Sequence, residues 1–298
     1  MKYFIRTLFL TVLFTICFSK PVFSQANDVE AGLFNIGIGS VLGGVGAVIN
    51  KKPGERTGKV LLKGLWQGAI GGYVVFESKR LVREFAETGD FGYVWPVKIV
   101  NSAGTSIIEN AAANRNLWER WHLNIGFNRF EINTEENFRL SYRIMPAALV
   151  ASFYPISEGK FHLKHSLKMG TLVFTTPKIE QDGYSFSGQS ITNMILIRED
   201  QRGKLALPHE LIHNFQYERV SGFNSFFIKP EKAIAKELGL TNLLKTYNKI
   251  FYNDYNAFLQ AGLYWLANPG QEEYWKNNFF ENEVEYYTNT LPKNNFFN

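Results

Sequence analysis

Two histidines in this sequence stand four residues apart, and a glutamate directly follows the first, in the run His209-Glu210-Leu211-Ile212-His213. On a helix this spacing puts both imidazoles on one face, one turn apart, where both can bind one metal ion. Glu210 then lies beside the ion without binding it, as a general base toward water that the metal activates. We therefore predict His209 and His213 as metal ligands and Glu210 as the catalytic base. The alternative is a surface helix with two solvated histidines.

The surroundings of the motif favour the metal site. Apolar side chains within and after the motif would anchor the helix in a core, and an extended apolar stretch, 194–197, lies shortly upstream. Pro208 directly precedes His209. Because proline fits the first turn of a helix but not its interior, we expect the helix either to begin at Pro208 or to be kinked there.

The motif resembles the zincin metallopeptidases, and within them the gluzincins, in which a downstream helix supplies a glutamate as the third ligand. Residues 281–287, with Glu281, Glu283 and Glu285, look like that segment. The resemblance implies zinc, with Glu283 as the third ligand, Glu281 as the runner-up, and Glu285 orienting a ligand histidine. The alternative is a solvated acidic face on the last helix. The extended motif with a third histidine is excluded, because Gln216 and Arg219 occupy its glycine and histidine positions.

The resemblance covers only residues 206–216 and the downstream glutamate segment, and the glycine-rich first half matches no peptidase domain. Other candidate residues are weaker. His122, His162 and His165 are interpreted as ordinary strand residues, since a spacing of three on a strand puts two side chains on opposite faces. Tyr217 could reach a substrate oxyanion, but a packed tyrosine is the simpler interpretation.

The first residues read as a signal for export. Lys2 and Arg6 precede a short apolar stretch from Leu8 to Phe18, and cleavage after Ser24 would leave Gln25 at the start of the chain. The competing interpretation is an uncleaved anchor. We therefore expect a location in the periplasm or outer membrane of a bacterial envelope.

Removal of residues 1–24 changes the charge and the cysteine content. That segment holds three basic residues and no acid, so the formal net charge falls from +5 to +2, and no nucleic-acid partner is expected. The single cysteine, Cys17, also leaves, so we expect no disulfide and no cysteine ligand.

Glycines dominate the next segment. Residues 31–50 contain six of them, and Gly64, Gly68 and Gly72 recur every four residues in the stretch after a basic turn at 51–54. On helices such glycines allow close backbone approach, which predicts a helical hairpin. Two interpretations stay open: a membrane contact through residues 31–76, or a tightly packed helix pair in a soluble protein.

The sequence predicts an antiparallel sheet in the middle of the chain and helices toward its end. Residues 97–114 read as a third helix, and the alternating or extended stretches are 121–127, 138–154, 160–176 and 191–197. Apolar spacing predicts a helix over residues 243–266 and another over 272–288. The expected fold is α+β, with a signal peptide (1–24), a glycine-rich helical region (25–115) and a region of sheet and zinc-binding helices (116–298).

These features predict an exported, membrane-associated zinc metallohydrolase, most simply a peptidase acting on peptides or proteins. The alternative is a non-catalytic protein of the cell envelope whose metal site is structural or vestigial. The two differ in whether the protein hydrolyses any peptide when it contains zinc.

Overall fold

Three long helices form the first part of the fold. The structure, a computed structural model, describes residues 27–135, 138–181, 184–267 and 278–289. The predicted signal peptide therefore lies outside the described residues. The helices are α1 (Asp28–Ile49), α2 (Thr57–Thr88) and α3 (Val94–Ala112). Asn27 caps α1, because its side chain accepts a hydrogen bond from the backbone N–H of Glu30.

The glycines of α1 and α2 bring the two backbones into contact, as expected for a hairpin. A Cβ atom added to Gly68 would lie 2.1 Å from the carbonyl oxygen of Gly39, and one added to Gly43 would lie 2.4 Å from that of Gly64. No side chain fits into these gaps. The repeated glycines are therefore explained by helix packing.

One helix in the described residues, α1, is long and apolar enough to cross a membrane by length and composition. About 39% of its apolar window is buried within the protein itself. A core helix near the N-terminus passes the same criterion, so this finding leaves both earlier interpretations open.

Nine short strands follow in the part of the chain that the structure describes, with small helices between them. The first sheet contains β1 (Arg120–Ile125), β2 (Asn128–Asn133) and β3 (Arg139–Ile144), all antiparallel and in the order β1-β2-β3. The helices α4 (Pro146–Ala151) and α5 (Phe153–Glu158) come next.

The second sheet has the order β4-β5-β9-β8, in which β5 and β9 are parallel and the other pairs are antiparallel. Its strands and the helix within it are β4 (Lys160–Phe161), α6 (Leu163–Met169), β5 (Leu172–Thr176), β8 (Gly188–Ile191) and β9 (Met194–Arg198). The strands β6 (Ile179–Gln181) and β7 (Tyr184–Phe186) form a separate hairpin.

Helices follow the second sheet in the described residues. They are α7 (Gln201–Arg219), α8 (Ile228–Glu237), α9 (Thr241–Ile250), α10 (Asn256–Leu266) and α11 (Phe279–Thr288), and a 3-10 segment at Ser221–Phe227 separates α7 from α8. Val173 and Ile195 of the second sheet share one core cluster with Leu211 of α7 and Val284 of α11. This core fixes α7 between the sheet and the last helix.

The α+β class is confirmed, with helices first, small sheets in the middle and helices at the end. Several boundaries differ from those expected. The extended stretches 138–154 and 160–176 are only partly strands, because α4, α5 and α6 interrupt them. The helix expected over 243–266 is two helices, and of the helix expected over 272–288 only Phe279–Thr288 lies in the described residues.

The glycine contacts predict opposite effects for two similar substitutions. Gly68→Ala forces a methyl group against a backbone oxygen and should lower the free energy of unfolding by about 1–3 kcal/mol. Gly37→Ala, also within the hairpin, meets nothing within 4 Å and should raise it by up to ~1 kcal/mol through helix propensity. Denaturant unfolding measures both, and equal effects would contradict the close packing of α1 on α2.

Candidate metal centre

Helix α7 presents the histidine motif at the edge of the core. Asp200 caps the helix by accepting a hydrogen bond from the backbone N–H of Gly203, and the helix then continues through Pro208. The alternative that the helix begins at Pro208 is therefore wrong. Leu207 and Leu211 are buried, whereas the side chains of His209 and His213 remain 19% and 14% exposed. The imidazoles are thus fixed by the helix yet reachable from solvent.

Three side chains bring their ligand atoms together at this point. The Nε2 atoms of His209 and His213 are 3.2 Å apart. The carboxylate of Glu281, on α11, approaches both: Oε2 is 3.3 Å from Nε2 of His209, and Oε1 is 3.4 Å from Nε2 of His213. These three residues are the one group in the described residues that could hold a metal ion.

The spacing suits a small tetrahedral ion. Zinc binds histidine nitrogen and carboxylate oxygen at about 2.0–2.2 Å, so two ligands of a tetrahedral zinc lie roughly 3.3 Å apart. The two Nε2 atoms are 3.2 Å apart, as this spacing requires. The distances to Glu281, 3.3 and 3.4 Å, run to its two different oxygens, and one ligand atom from each of the three residues lies within 4.8 Å of the others. Two imidazoles and one carboxylate are also a donor set that zinc accepts in catalytic sites, with a fourth position for water. The residues therefore fit zinc.

The structure corrects the choice of the third ligand, because Glu281 rather than Glu283 reaches the histidines. Glu283 is fully buried and turned away. Its Oε1 accepts hydrogen bonds from Nζ of Lys79 and Nη1 of Arg219, each at 2.6 Å. Two buried cations thus hold its carboxylate, and they keep its pKa at about 2 although burial alone would raise it. On a helix, residues 281 and 283 point in different directions, so only one can face the site.

Each ligand has a second partner that sets its orientation. Oε1 of Glu285 lies 3.2 Å from Nδ1 of His209, a contact through which the orienting role implied by the resemblance would act. Oε1 of Gln216 lies 2.9 Å from Nδ1 of His213. The hydroxyl of Tyr264, on α10, donates a hydrogen bond of 2.6 Å to Oε1 of Glu281.

The carboxylates around the histidines favour a cation in the site. Burial lowers the pKa of His209, but its hydrogen bonds with Glu281 and Glu285 outweigh burial and raise it to about 10. Burial would raise the pKa of Glu281, yet the charge of His213 and contacts with both histidines hold it well below its usual value. A site that favours positive charge this strongly suits a divalent ion as well as a proton.

Glu210 lies behind the histidines and against strand β8. A Cβ atom added to Gly188 would stand 2.7 Å from Oε1 of Glu210, so a larger residue at this position would displace the carboxylate. Burial raises the pKa of Glu210, while the two histidines and a backbone hydrogen bond from Ser190 act in the opposite direction. The carboxylate is therefore held in place next to the three ligand residues.

The remaining candidates lie elsewhere. His122 is buried and contacts the hydroxyls of Thr105 and Ser106. His162 and His165 are not on a strand: His162 caps α6 and accepts a hydrogen bond from the backbone N–H of His165. The hydroxyl of Tyr217 is buried and donates to Asp254, so it packs rather than reaching the site.

Sequence reasoning missed two residues of this centre. Gln216 lies one helical turn beyond His213, and this spacing of three could have identified it as a partner. Tyr264 belongs to another helix, and nothing in its sequence surroundings indicates that it reaches Glu281. No protein-family model, no curated protein and no solved structure matches this chain.

The different surroundings of Glu281 and Glu283 predict different consequences of the same substitution. Glu281→Gln should weaken zinc binding strongly and leave the fold stable. Glu283→Gln should lower the free energy of unfolding by about 3–5 kcal/mol, because Lys79 and Arg219 lose their buried counter-charge. Zinc titration and denaturant unfolding of both variants measure this, and zinc loss confined to Glu283→Gln would contradict the assignment.

The contact of Tyr264 with Glu281 predicts a smaller effect. Tyr264→Phe removes only the hydroxyl that orients the carboxylate and should weaken zinc binding about tenfold or more. Tyr247→Phe is the matched control, since its hydroxyl hydrogen-bonds Asn253 and not the metal centre. Competition with a zinc chelator compares the two variants, and equal affinities would show that Tyr264 has no orienting role.

Proposed function

We propose that this protein is a zinc-dependent hydrolase, most simply a metallopeptidase, exported to the bacterial envelope and associated with a membrane. The observation that carries the proposal is the convergence of His209, His213 and Glu281, whose ligand atoms lie within 4.8 Å of one another, with the two histidine Nε2 atoms 3.2 Å apart. Export follows from the sequence of residues 1–24. Membrane contact through residues 31–76 is part of the proposal, supported by the exposed apolar side chains of α2 in that range, Leu62, Trp66, Ile70 and Tyr73.

The residues of the site have different roles in the proposed reaction. Zinc, when bound, supplies a Lewis acid that polarises a carbonyl group and activates water. Glu210 takes a proton from the attacking water and returns it to the leaving amine. Glu285, Gln216 and Tyr264 hold the three ligands in position.

A peptide is the substrate that best suits the neighbouring strand. β8 is the outer strand of its sheet, and no described strand pairs with its free edge. Its residues Gly188 and Ser190 lie against Glu210. An extended peptide can add to a free strand edge through backbone hydrogen bonds. A peptide bound along this edge would lie beside the metal and Glu210.

Two variants test the proposal. Glu210→Gln keeps the ligands and the shape of the site, so we expect about one zinc per protein and hydrolysis lowered by a factor of about 100 or more. His213→Ala should lose both zinc and activity. Metal analysis of purified protein and cleavage of a broad peptide library measure these properties.

Three results would contradict it. Wild type that is as metal-free as His213→Ala would exclude the metal site. Full hydrolysis by Glu210→Gln would exclude its role as the base. Zinc in the wild type without cleavage of any peptide would favour the alternative class, an envelope protein with a structural metal.

A further inference from the structure

The first sheet is built with its polar side inward. Arg129 is 1% exposed, and its guanidinium binds Glu109 of α3 at 2.7 Å and Glu131 of the same strand at 2.8 Å. His122 and Asn124 of β1 are buried on the same side. These charge-assisted contacts fix which face of the sheet meets α3.

The opposite face of this sheet is apolar and points to the outside. Strand register aligns its side chains in two cross-strand rows, which are Trp121–Ile132–Leu140 and Leu123–Phe130–Tyr142. Leu140 is 67% and Phe130 is 45% exposed. Outward apolar side chains contributed by three strands mark a surface that contacts something apolar.

Helix α3 extends this outward face. One cavity of about 580 Å³ is lined by Ile99 and Ala103 of α3 together with both rows of the sheet. The exposed side chain of Phe138 lies just before β3. The apolar surface is therefore a broad face with a groove, formed by α3 and β1–β3.

The first half of α2 presents a second apolar stripe, and this one has a basic border. No acidic residue occurs between Thr57 and Phe76. Exposed apolar side chains recur along one side of the helix, at Leu62, Trp66, Ile70 and Tyr73. Leu62 and Trp66 line a shallow concavity of about 740 Å³ together with three cations, Arg56, Lys59 and Lys63.

The two surfaces are neighbours. Nδ2 of Asn114, between α3 and β1, donates a hydrogen bond of 2.7 Å to Oε2 of Glu55, the residue before Arg56. Glu55, Glu119 and Glu135 all act electrostatically on Lys63. Trp118 is exposed at the end of the sheet where β1 begins and β2 ends, and its carbonyl accepts a hydrogen bond from Thr134. The three acids partly offset the charge of half-buried Lys63, whereas Arg56 and Lys59 are exposed to solvent at the concavity.

Helix α1 cannot leave the protein to cross a bilayer without breaking buried contacts. Its glycines lie against the backbone of α2, and the side chain of Asn35 accepts hydrogen bonds from Lys79 and Arg219. These two cations are buried with Glu283. A membrane contact of the folded protein must therefore use outward faces.

We propose that the protein docks flat on the surface of an anionic phospholipid bilayer, through the α2 stripe and the outer face of β1–β3. The apolar and aromatic side chains enter the interfacial region, which tryptophan and tyrosine prefer, and Arg56, Lys59 and Lys63 meet lipid phosphates. The charge of this border selects anionic lipid as the partner. This proposal rests on the membrane association in the proposed function and not on the metal centre, and it specifies the surface and the lipid chemistry.

The test is sedimentation of the full chain with vesicles of phosphatidylcholine alone or with added phosphatidylglycerol. We expect stronger binding to the anionic vesicles and weakening by salt. Leu140→Glu should reduce binding about tenfold by placing a charge in the apolar face. Leu163→Glu is the matched control on α6, with a similar exposure of 60%, and should bind like wild type.

A second pair of variants tests the charge. Lys59→Glu should reduce binding to anionic vesicles about tenfold and leave binding to neutral vesicles unchanged. Lys232→Glu, exposed on α8, is its control. Residues 1–26 are identical in all variants, so differences report the folded surface. Circular dichroism checks the fold, and Phe138→Glu replaces Leu140→Glu if that variant fails to fold.

Three outcomes overturn the proposal: no preference for anionic vesicles, equal binding by a test variant and its control, or light scattering that shows a dimer which Leu140→Glu separates. In the last case a second copy of the chain covers the face. Lipids with brominated acyl chains should quench the tryptophan fluorescence of the bound protein. Weaker quenching in Trp66→Phe and in Trp121→Phe than in the wild type supports docking in the stated orientation.

Discussion

The buried carboxylate of Glu283 connects the parts of this protein that are far apart in sequence. It lies on the last helix, and it binds Lys79 of α2 and Arg219 at the end of the motif helix. Asn35 of α1 contacts both cations. Because a buried charge without a partner is costly, these elements must assemble together or not at all. The glycine-rich hairpin is thereby fixed to the helix that presents the histidines.

The same carboxylate reaches the metal centre through one amide. Nε2 of Gln216 donates to Oε2 of Glu283 at 2.9 Å, and Oε1 of Gln216 contacts Nδ1 of His213. A side-chain amide with both ends bound has a fixed direction. The orientation of one candidate metal ligand, His213, therefore depends on an ion pair with α2, which links the stability of the hairpin to the geometry of the site.

Polar groups in the interior also explain the exposed apolar surface. In the first sheet Arg129 and Glu131 face inward, and Arg129 pairs with both Glu131 and Glu109 of α3, which fixes the register and the face. Since side chains alternate along a strand, the apolar residues of these strands then have to face outward. The outward hydrophobicity is thus a consequence of the charged interior, and it provides the surface for which we propose a lipid partner.

The sequence by itself determined the features that depend on local spacing. A separation of four residues places His209 and His213 on one helical face, and glycines four apart predict the close contact of α1 and α2. The choice between Glu281 and Glu283 was different. Both are acids of one short segment, and their sequence surroundings do not distinguish them. In the folded protein Lys79 and Arg219 neutralise Glu283, and the two histidines lie beside Glu281, so tertiary structure decides which carboxylate faces the site. The same limit applies to Tyr264, and to the inward side of the first sheet, because each depends on partners from other elements that the local pattern does not specify.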